Sequence, residues 1–226
     1  MAGILFIISA PSGSGKSTLV SEVRRLVEGL DFSISYTTRE PRGSEEDGRE
    51  YHFTTRERFL EMVTGGEFLE WAEVFGNLYG TALSALDHAR SLGRDLLLDI
   101  DVQGALQVIE TMPAAVSIFV LPPRPQELER RLRNRSQAEG MMEESVIERR
   151  LSQARLELSR LDGYKYALVN DKLDDAATEM RAVVLKERGQ GGSEEQEIAR
   201  RCLVASGSEP LKVALESFSV ELTGVT

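Results

Sequence analysis

The chain has 226 residues, 41% hydrophobic and 28% charged, the balance of a folded rather than a disordered protein. That length fits one compact domain carrying an insertion or a tail. With 27 basic and 37 acidic residues the net charge is −10, which argues against bulk attraction to a nucleic-acid polymer or an acidic membrane face; an anionic ligand would need a local basic pocket. A single cysteine, Cys202, excludes an intrachain disulfide framework, and two histidines cannot build a His-rich metal cage. Met1 to Ser9 carries no basic leader and no run approaches the roughly 18 apolar residues of a membrane span, so the expectation is a soluble, cytoplasmic protein.

In chain order, Ile4 to Ile8 is an unbroken apolar run, the pattern of a strand buried on both faces. A glycine-containing loop follows, and Ser17 to Leu30 predicts a helix with Leu19, Val23, Leu26, Val27 and Leu30 along one face. Ser33 to Gly80 differs in character. It holds most of the tyrosines and the only tryptophan, and its short alternating runs predict a mixed insertion of a few strands with a helix near Arg56 to Val63. Leu96 to Ile100 and Val116 to Leu121 are further apolar runs, each preceding a helical pattern, from near Val102 and near Pro125. Ser136 to Glu144 is polar, with Gly140 beside Met141 and Met142, and predicts a mobile flap between two Arg-rich helices. Tyr166 to Val169 predicts a strand and Leu173 to Glu187 a helix; Gly189 to Glu195 reads as a linker, and from Gln196 onward a short helix and a strand are expected. Strands alternating with helices predict an α/β fold on a mainly parallel sheet.

The segment Ala10-Pro11-Ser12-Gly13-Ser14-Gly15-Lys16-Ser17 follows the first strand and opens the first helix. In such a turn the backbone N–H groups converge on one point, backed by the positive end of the helix dipole, so phosphate is held without surface charge. Glycine is needed where a side chain would block that approach. Lys16 would reach the outer phosphates and the Ser17 hydroxyl could ligate magnesium. Alanine stands at position 10 where the strict pattern asks for glycine. The motif points to a nucleoside triphosphate and is silent about a second substrate.

That second substrate is indicated by Thr37 to Arg42, Asp47 to Phe53, Phe68 to Ala72, Gly76 to Thr81 and Leu98 to Gly104, with Phe119 to Pro123 and Val169 to Asp171 beyond them. Together with Ser9 to Thr18, these segments resemble the guanylate kinase family over about residues 3–187. The resemblance implies a parallel-sheet core of the P-loop NTPase type (3–32 and 95–187), a mixed α/β insertion that binds the nucleoside monophosphate (33–94) and a short lid (about 136–149). Residues 188–226 form a linker and tail of unreadable role. The implied reaction moves the γ-phosphoryl group of ATP, with magnesium, to GMP and dGMP.

The resemblance assigns Glu70 and Asp101 to the two neighbouring N–H donors of guanine, and Ser35 and Thr81 to its carbonyl. The chemistry agrees, since carboxylates suit the donors and a hydroxyl the acceptor, and adenine would present a lone pair to a carboxylate. A site that hydrogen-bonds a substrate group rejects an analogue lacking it by roughly 10⁴ to 10⁵. Arg39, Arg42, Tyr51 and Tyr79 are assigned to the GMP phosphate, although Arg42 also reads as a solvated loop charge. Arg130, Arg131, Arg133 and Arg135 crowd into six residues; Arg131 and Arg135 share a face and are assigned, with Arg150, to the ATP phosphates, the others pairing with Glu127, Glu129 or Glu148. Ser136 stands where the family carries glycine after the arginine, and the segment before Arg150 is a few residues longer than the family pattern. Asp99 reads either as a carboxylate orienting metal-bound water or as a helix cap or structural hydrogen-bonding group. His52, His88, Cys202, Met141 and Met142 carry no assigned chemistry. Two alternatives stand beside this reading: a non-catalytic guanylate-kinase-like module that holds phosphopeptides, and a related small kinase with another phosphorylated acceptor.

Overall fold

The computed structural model describes residues 3–138 and 144–222. Its elements are β1 (Leu5–Ser9), α1 (Lys16–Leu26), β2 (Leu30–Phe32), β3 (Tyr36–Thr37), β4 (His52–Phe53), α2 (Arg56–Thr64), β5 (Phe68–Val74), β6 (Asn77–Ala82), α3 (Leu83–Ser91), β7 (Asp95–Asp99) and α4 (Val102–Thr111), followed by β8 (Val116–Leu121), α5 (Pro125–Ala138), α6 (Glu144–Leu158), β9 (Tyr166–Val169), α7 (Leu173–Glu187), α8 (Ser193–Arg201) and α9 (Glu209–Leu222). They fall into two compact units, Met1–Ile7 with Gly29–Ala115, and Ile8–Glu28 with Val116–Thr226.

In the first unit the strand order is β2-β7-β1. β2 pairs with β7 in parallel, Leu30 opposite Asp95, and the Leu96 N–H donates to the Ile4 carbonyl at 3.0 Å. Leu96, Leu97 and Leu98 are all buried, which is why this strand reads as a continuous apolar run rather than an alternation. A second sheet, ordered β4-β3-β6-β5, forms the aromatic-rich stretch. β5 and β6 make an antiparallel hairpin that puts Glu70 opposite Thr81. Its two-residue turn is Phe75-Gly76, with φ of 50° and 84°; both being positive gives the twist that hairpin strands require. Phe59 of α2 stacks on Phe68 of β5 at 4.5 Å between ring centres, so the helix expected near Arg56 to Val63 anchors the sheet that carries Glu70.

In the second unit the order is β1-β8-β9, with β8 and β9 parallel, Ile118 opposite Tyr166. All six residues of β8 are buried, and Leu128, Leu132, Ile147, Met180, Val183 and Val184 supply helix side chains to the same core.

β8, β9 and α7 have the bounds read from the sequence. The first helix does not. It ends at Leu26, because Gly29 takes φ 70° and Leu30 enters β2; Leu30 is apolar for a strand's reason, although its spacing also fits the helix face. Residues 136–138, read as part of the flap, continue α5, and the Ser136 side chain is fully buried; Gly140, Met141 and Met142 lie outside the described residues. The linker is shorter than expected, since α8 starts at Ser193, where Glu195 receives the Gly192 N–H at 3.0 Å.

Among its described residues the tail contains two helices and, in place of the expected strand, one antiparallel bridge, Leu203 to Tyr166. The Ala167 N–H donates to the Cys202 carbonyl at 2.8 Å and the Val204 N–H to the Lys165 carbonyl at 3.1 Å. Cys202 is buried, and burial pushes its thiol up to about 12, the environment of an inert structural cysteine. Nearby on α7, burial raises the Glu179 carboxyl to about 6, with Asp175 adding to the shift and Arg201 opposing it. The folded value lies above the ordinary one near 4.5, so Glu179 favours the folded state below about pH 4.5, and that contribution is lost as pH rises through about 6. Glu179→Gln is expected to raise the thermal midpoint at pH 8 by about 2–4 °C and to leave it unchanged at pH 4, read by scanning calorimetry at the two pH values.

Candidate functional site

The second unit holds the phosphate loop. A cavity of about 510 Å³ is lined by residues 10–18 together with Arg131, Arg135, Asn170, Asp171 and Leu173. Gly13 and Gly15 take φ of 90° and 83°, a conformation that strains any residue with a Cβ. α1 starts without a side-chain cap on Gly15, so no side chain of the cap residue competes with an oxyanion for the helix N-terminus.

The turn is held from behind by its Ser14 carbonyl. Asn170 Nδ2 donates to that oxygen at 2.8 Å and the Arg131 guanidinium at 3.2 Å, while a second Arg131 nitrogen donates to the Asn170 carbonyl at 3.1 Å. Asn170 is buried, and a Cβ on Gly15 would fall 2.5 Å from its amide nitrogen; the glycine makes room for this brace as well as for phosphate. Arg131 is also tied to Glu127 at 2.7 Å. The Arg130 guanidinium, helped by Arg131, holds the Glu127 carboxyl down at about 2 although its partial burial acts the other way, so Glu127 is ionised under any working condition. As expected from their spacing, Arg131 and Arg135 both face the cavity, while Arg130 pairs with Glu127 and Arg133 with Glu129. Arg150 is not among the residues lining it. That guanidinium is buried and donates to Ser136 Oγ at 3.0 Å, so the serine that departs from the family pattern is the residue that receives it.

The first unit holds the other set. Glu70 is 3% exposed; as a lone strand carboxylate it could have been expected at the surface, and the structure places it inside. Opposite it, Thr81 is fully buried and its hydroxyl has no hydrogen-bond partner among the described residues, a deficit that a bound polar group would remove. Ser35 is buried beside β3. Asp101 is the N-cap of α4: its Oδ1 accepts from the Gln103 and Gly104 N–H groups at 2.7 and 3.2 Å. The cap considered for Asp99 is therefore Asp101, two residues on. A Cβ on Gly104 would lie 2.2 Å from Glu70 Oε2 and 3.6 Å from Asp101 Oδ2, so both carboxylates converge on the open face of this glycine.

Arg39 is buried at the other end of the set, under Tyr51 at 5.3 Å from the ring centre, and the Tyr51 and Tyr79 rings meet edge-on at 5.9 Å. Burial works against the Arg39 charge, but the hydrogen bond and charge of Glu45, with a smaller part from Tyr79, outweigh it and raise the guanidinium above its ordinary value. Both Glu45 oxygens bond one Arg39 nitrogen, at 3.0 and 2.9 Å, which shows a guanidinium presented to an oxyanion. Burial, with the Asp99 charge behind it, pushes the Tyr51 phenol up to about 12, so its O–H remains a donor. Arg42 is exposed, in keeping with its reading as a loop charge, and its N–H is bonded to Glu45 at 2.8 Å.

Sequence reasoning did not single out Asn170, Gly104 or Glu45. The first two lie in quoted motifs, and their place could have been sought from the need to brace a strained turn and to bring two carboxylates together. Glu45 gave no signal in a polar loop.

The chain matches the family model described as guanylate kinase over residues 3–187. A guanylate kinase of Koribacter versatilis is 51% identical, covering 96% of this chain and 97% of that protein; one from Alkalilimnicola ehrlichii is 47% identical, covering 83% and 91%. The crystal structure of guanylate kinase from Anaplasma phagocytophilum superposes with a TM-score of 0.68 at 33% identity, covering 85% of this chain and 88% of that one. With a braced phosphate loop in one unit and a buried acid–hydroxyl pair in the other, the matches over most of its length place this chain in the guanylate kinase family.

Proposed function

We propose that the chain transfers the γ-phosphoryl group of ATP to GMP and dGMP, giving ADP and the nucleoside diphosphate. The observation that carries the acceptor is the buried Glu70 carboxylate facing the buried Thr81 hydroxyl. Acids beside a hydroxyl match the two adjacent N–H donors and the carbonyl of guanine. Asp101 takes part through Oδ2, its Oδ1 being engaged in the helix cap, and Ser35 joins Thr81 at the carbonyl.

The acceptor phosphate is assigned to Arg39, Arg42, Tyr51 and Tyr79, with Arg39 exchanging Glu45 for phosphate. The donor triphosphate is assigned to the residue 10–17 cradle, Lys16, Arg131 and Arg135. Arg150 would join them on exchanging Ser136 for a phosphate oxygen. One oxygen of the GMP phosphate forms a bond to the γ-phosphorus as the bond to the β-phosphate oxygen breaks. The attacking group is already anionic, with a second pKa near ~6, so no strong general base is needed. What the protein supplies is alignment and cancellation of charge on the transferring group.

Magnesium fits the donor side. Ser17 offers one exposed hydroxyl in the lining of the loop cavity, and this ion takes few protein ligands, keeping water and phosphate oxygens for the rest. When bound it would neutralise phosphate charge; Ser17 is the protein ligand proposed, and Asp99 the carboxylate for its water. No described helix is long and apolar enough to cross a membrane, and a cytoplasmic location is proposed from the substrates.

Coupled-assay turnover on a panel of GMP, dGMP, AMP, UMP and a sugar phosphate tests the reaction: GMP and dGMP should turn over and the others should not, whereas phosphopeptide binding without turnover would make the chain a recognition module. Lys16→Ala is expected to fold yet lose kcat by roughly 10²- to 10³-fold, and normal GDP formation by that variant would remove Lys16 from the mechanism. Glu70→Gln should raise the KM for GMP roughly ten- to a hundredfold and hardly move that for ATP. Asn170→Ala should do the reverse, raising the KM for ATP by about tenfold as the Ser14 carbonyl loses a buried bond, with GMP unaffected.

A further inference from the structure

β5 is an edge strand of its sheet, so the main-chain groups on its outer side have no strand to pair with. At Trp71 a side chain meets that need. Gln107 Nε2 donates to the Trp71 carbonyl at 2.8 Å, and Gln107 Oε1 accepts from the Trp71 N–H at 3.5 Å. A carboxamide carries a donor and an acceptor side by side as a peptide does, and here Gln107 stands in for one residue of a missing strand. Trp71 adjoins Glu70. Three residues before Gln107 on the same helix, Gly104 leaves no room for a Cβ against the Glu70 carboxylate, and the helix opens at Asp101. α4 therefore carries, one turn apart, a carboxylate at its cap, a bare face toward Glu70 and an anchor to the strand that bears Glu70. Beside the close approach of Glu70 to Gly104, the 2.8 Å bond from Gln107 to the Trp71 carbonyl, with the longer contact to its N–H, adds a directional restraint between helix and strand.

We propose that Gln107 is a positioning residue for acceptor recognition: by pairing with the Trp71 backbone it sets the register of β5 against α4, and with it the separation and angle of the Glu70 and Asp101 carboxylates at the guanine edge. This rests on the assignment of those two acids to the base. Gln107 acts through them and touches neither substrate.

Steady-state kinetics of the full chain test it, with ATP, GMP and IMP varied separately; IMP keeps the ring N–H of guanine but lacks the exocyclic amino group. Gln107→Met preserves length and helix propensity while removing both bonds. It should raise the KM for GMP by about five- to tenfold, leave that for ATP within about twofold, and narrow the preference for GMP over IMP. Gln107→Glu, which turns the donor into a second oxygen facing the Trp71 carbonyl, should do the same or more. In a Glu70→Gln background, Gln107→Met should add less than about twofold, since its effect passes through Glu70. An unchanged GMP-to-IMP preference in Gln107→Met, or losses that multiply fully in the double variant, would overturn the role of Gln107 and leave Glu70 in place. If Glu70→Gln alone left GMP binding intact, the assignment of the acids would fall, and the inference with it.

Discussion

A turn cannot spend on internal bonds the N–H groups that it offers to a phosphate, so beyond the one bond from the Ser14 N–H to the Pro11 carbonyl at 3.1 Å it is held from outside. In this chain the Ser14 carbonyl takes that load. Asn170 and Arg131 both donate to it, and Arg131 is itself held by Glu127 and by the Asn170 carbonyl. The arrangement ties the end of β9 and the face of α5 to the loop and to each other through three hydrogen bonds. It also explains why an acidic chain can serve a polyanion: the cationic groups are local, and Glu127 offsets their charge without competing for the ligand's position.

The acceptor unit solves a different problem. Burying Glu70 costs free energy unless the charge finds partners; the acid lies against the bare face of Gly104, and the Asp101 carboxylate converging on the same face adds to that cost rather than lowering it. At the far end of the set, Arg39 is buried under aromatic rings with Glu45 as its counter-ion. The proposed recognition of base and phosphate thus falls on two separate groups of side chains, each fixed by its own hairpin, helix or loop.

Much of this was legible in the residues. The doubly buried strands β8 and β9 gave themselves away as apolar runs, and the loop from Ala10 to Ser17 by its order of glycine, lysine and serine. Leu30 misled, since its spacing continues a helical face while Gly29 has already broken the helix. The tail escaped because its contacts are with strand and helix surfaces far away in sequence: Cys202 and Leu203 pair with β9, and nothing in their local pattern announces it. Glu70 became legible only within a series of motifs, because burial of one carboxylate is a tertiary fact. The same holds for Asn170 and Gln107, polar residues whose partners are backbone atoms, which no side-chain pattern records.

The tail's bridge to β9 bears on assembly. β9 closes its side of the sheet order, and the Ala167 N–H and Lys165 carbonyl, which would otherwise point outward, are taken by Cys202 and Val204. With those two sites filled by the chain's own extension, the beginning of β9 no longer offers them to a neighbouring polypeptide for strand addition.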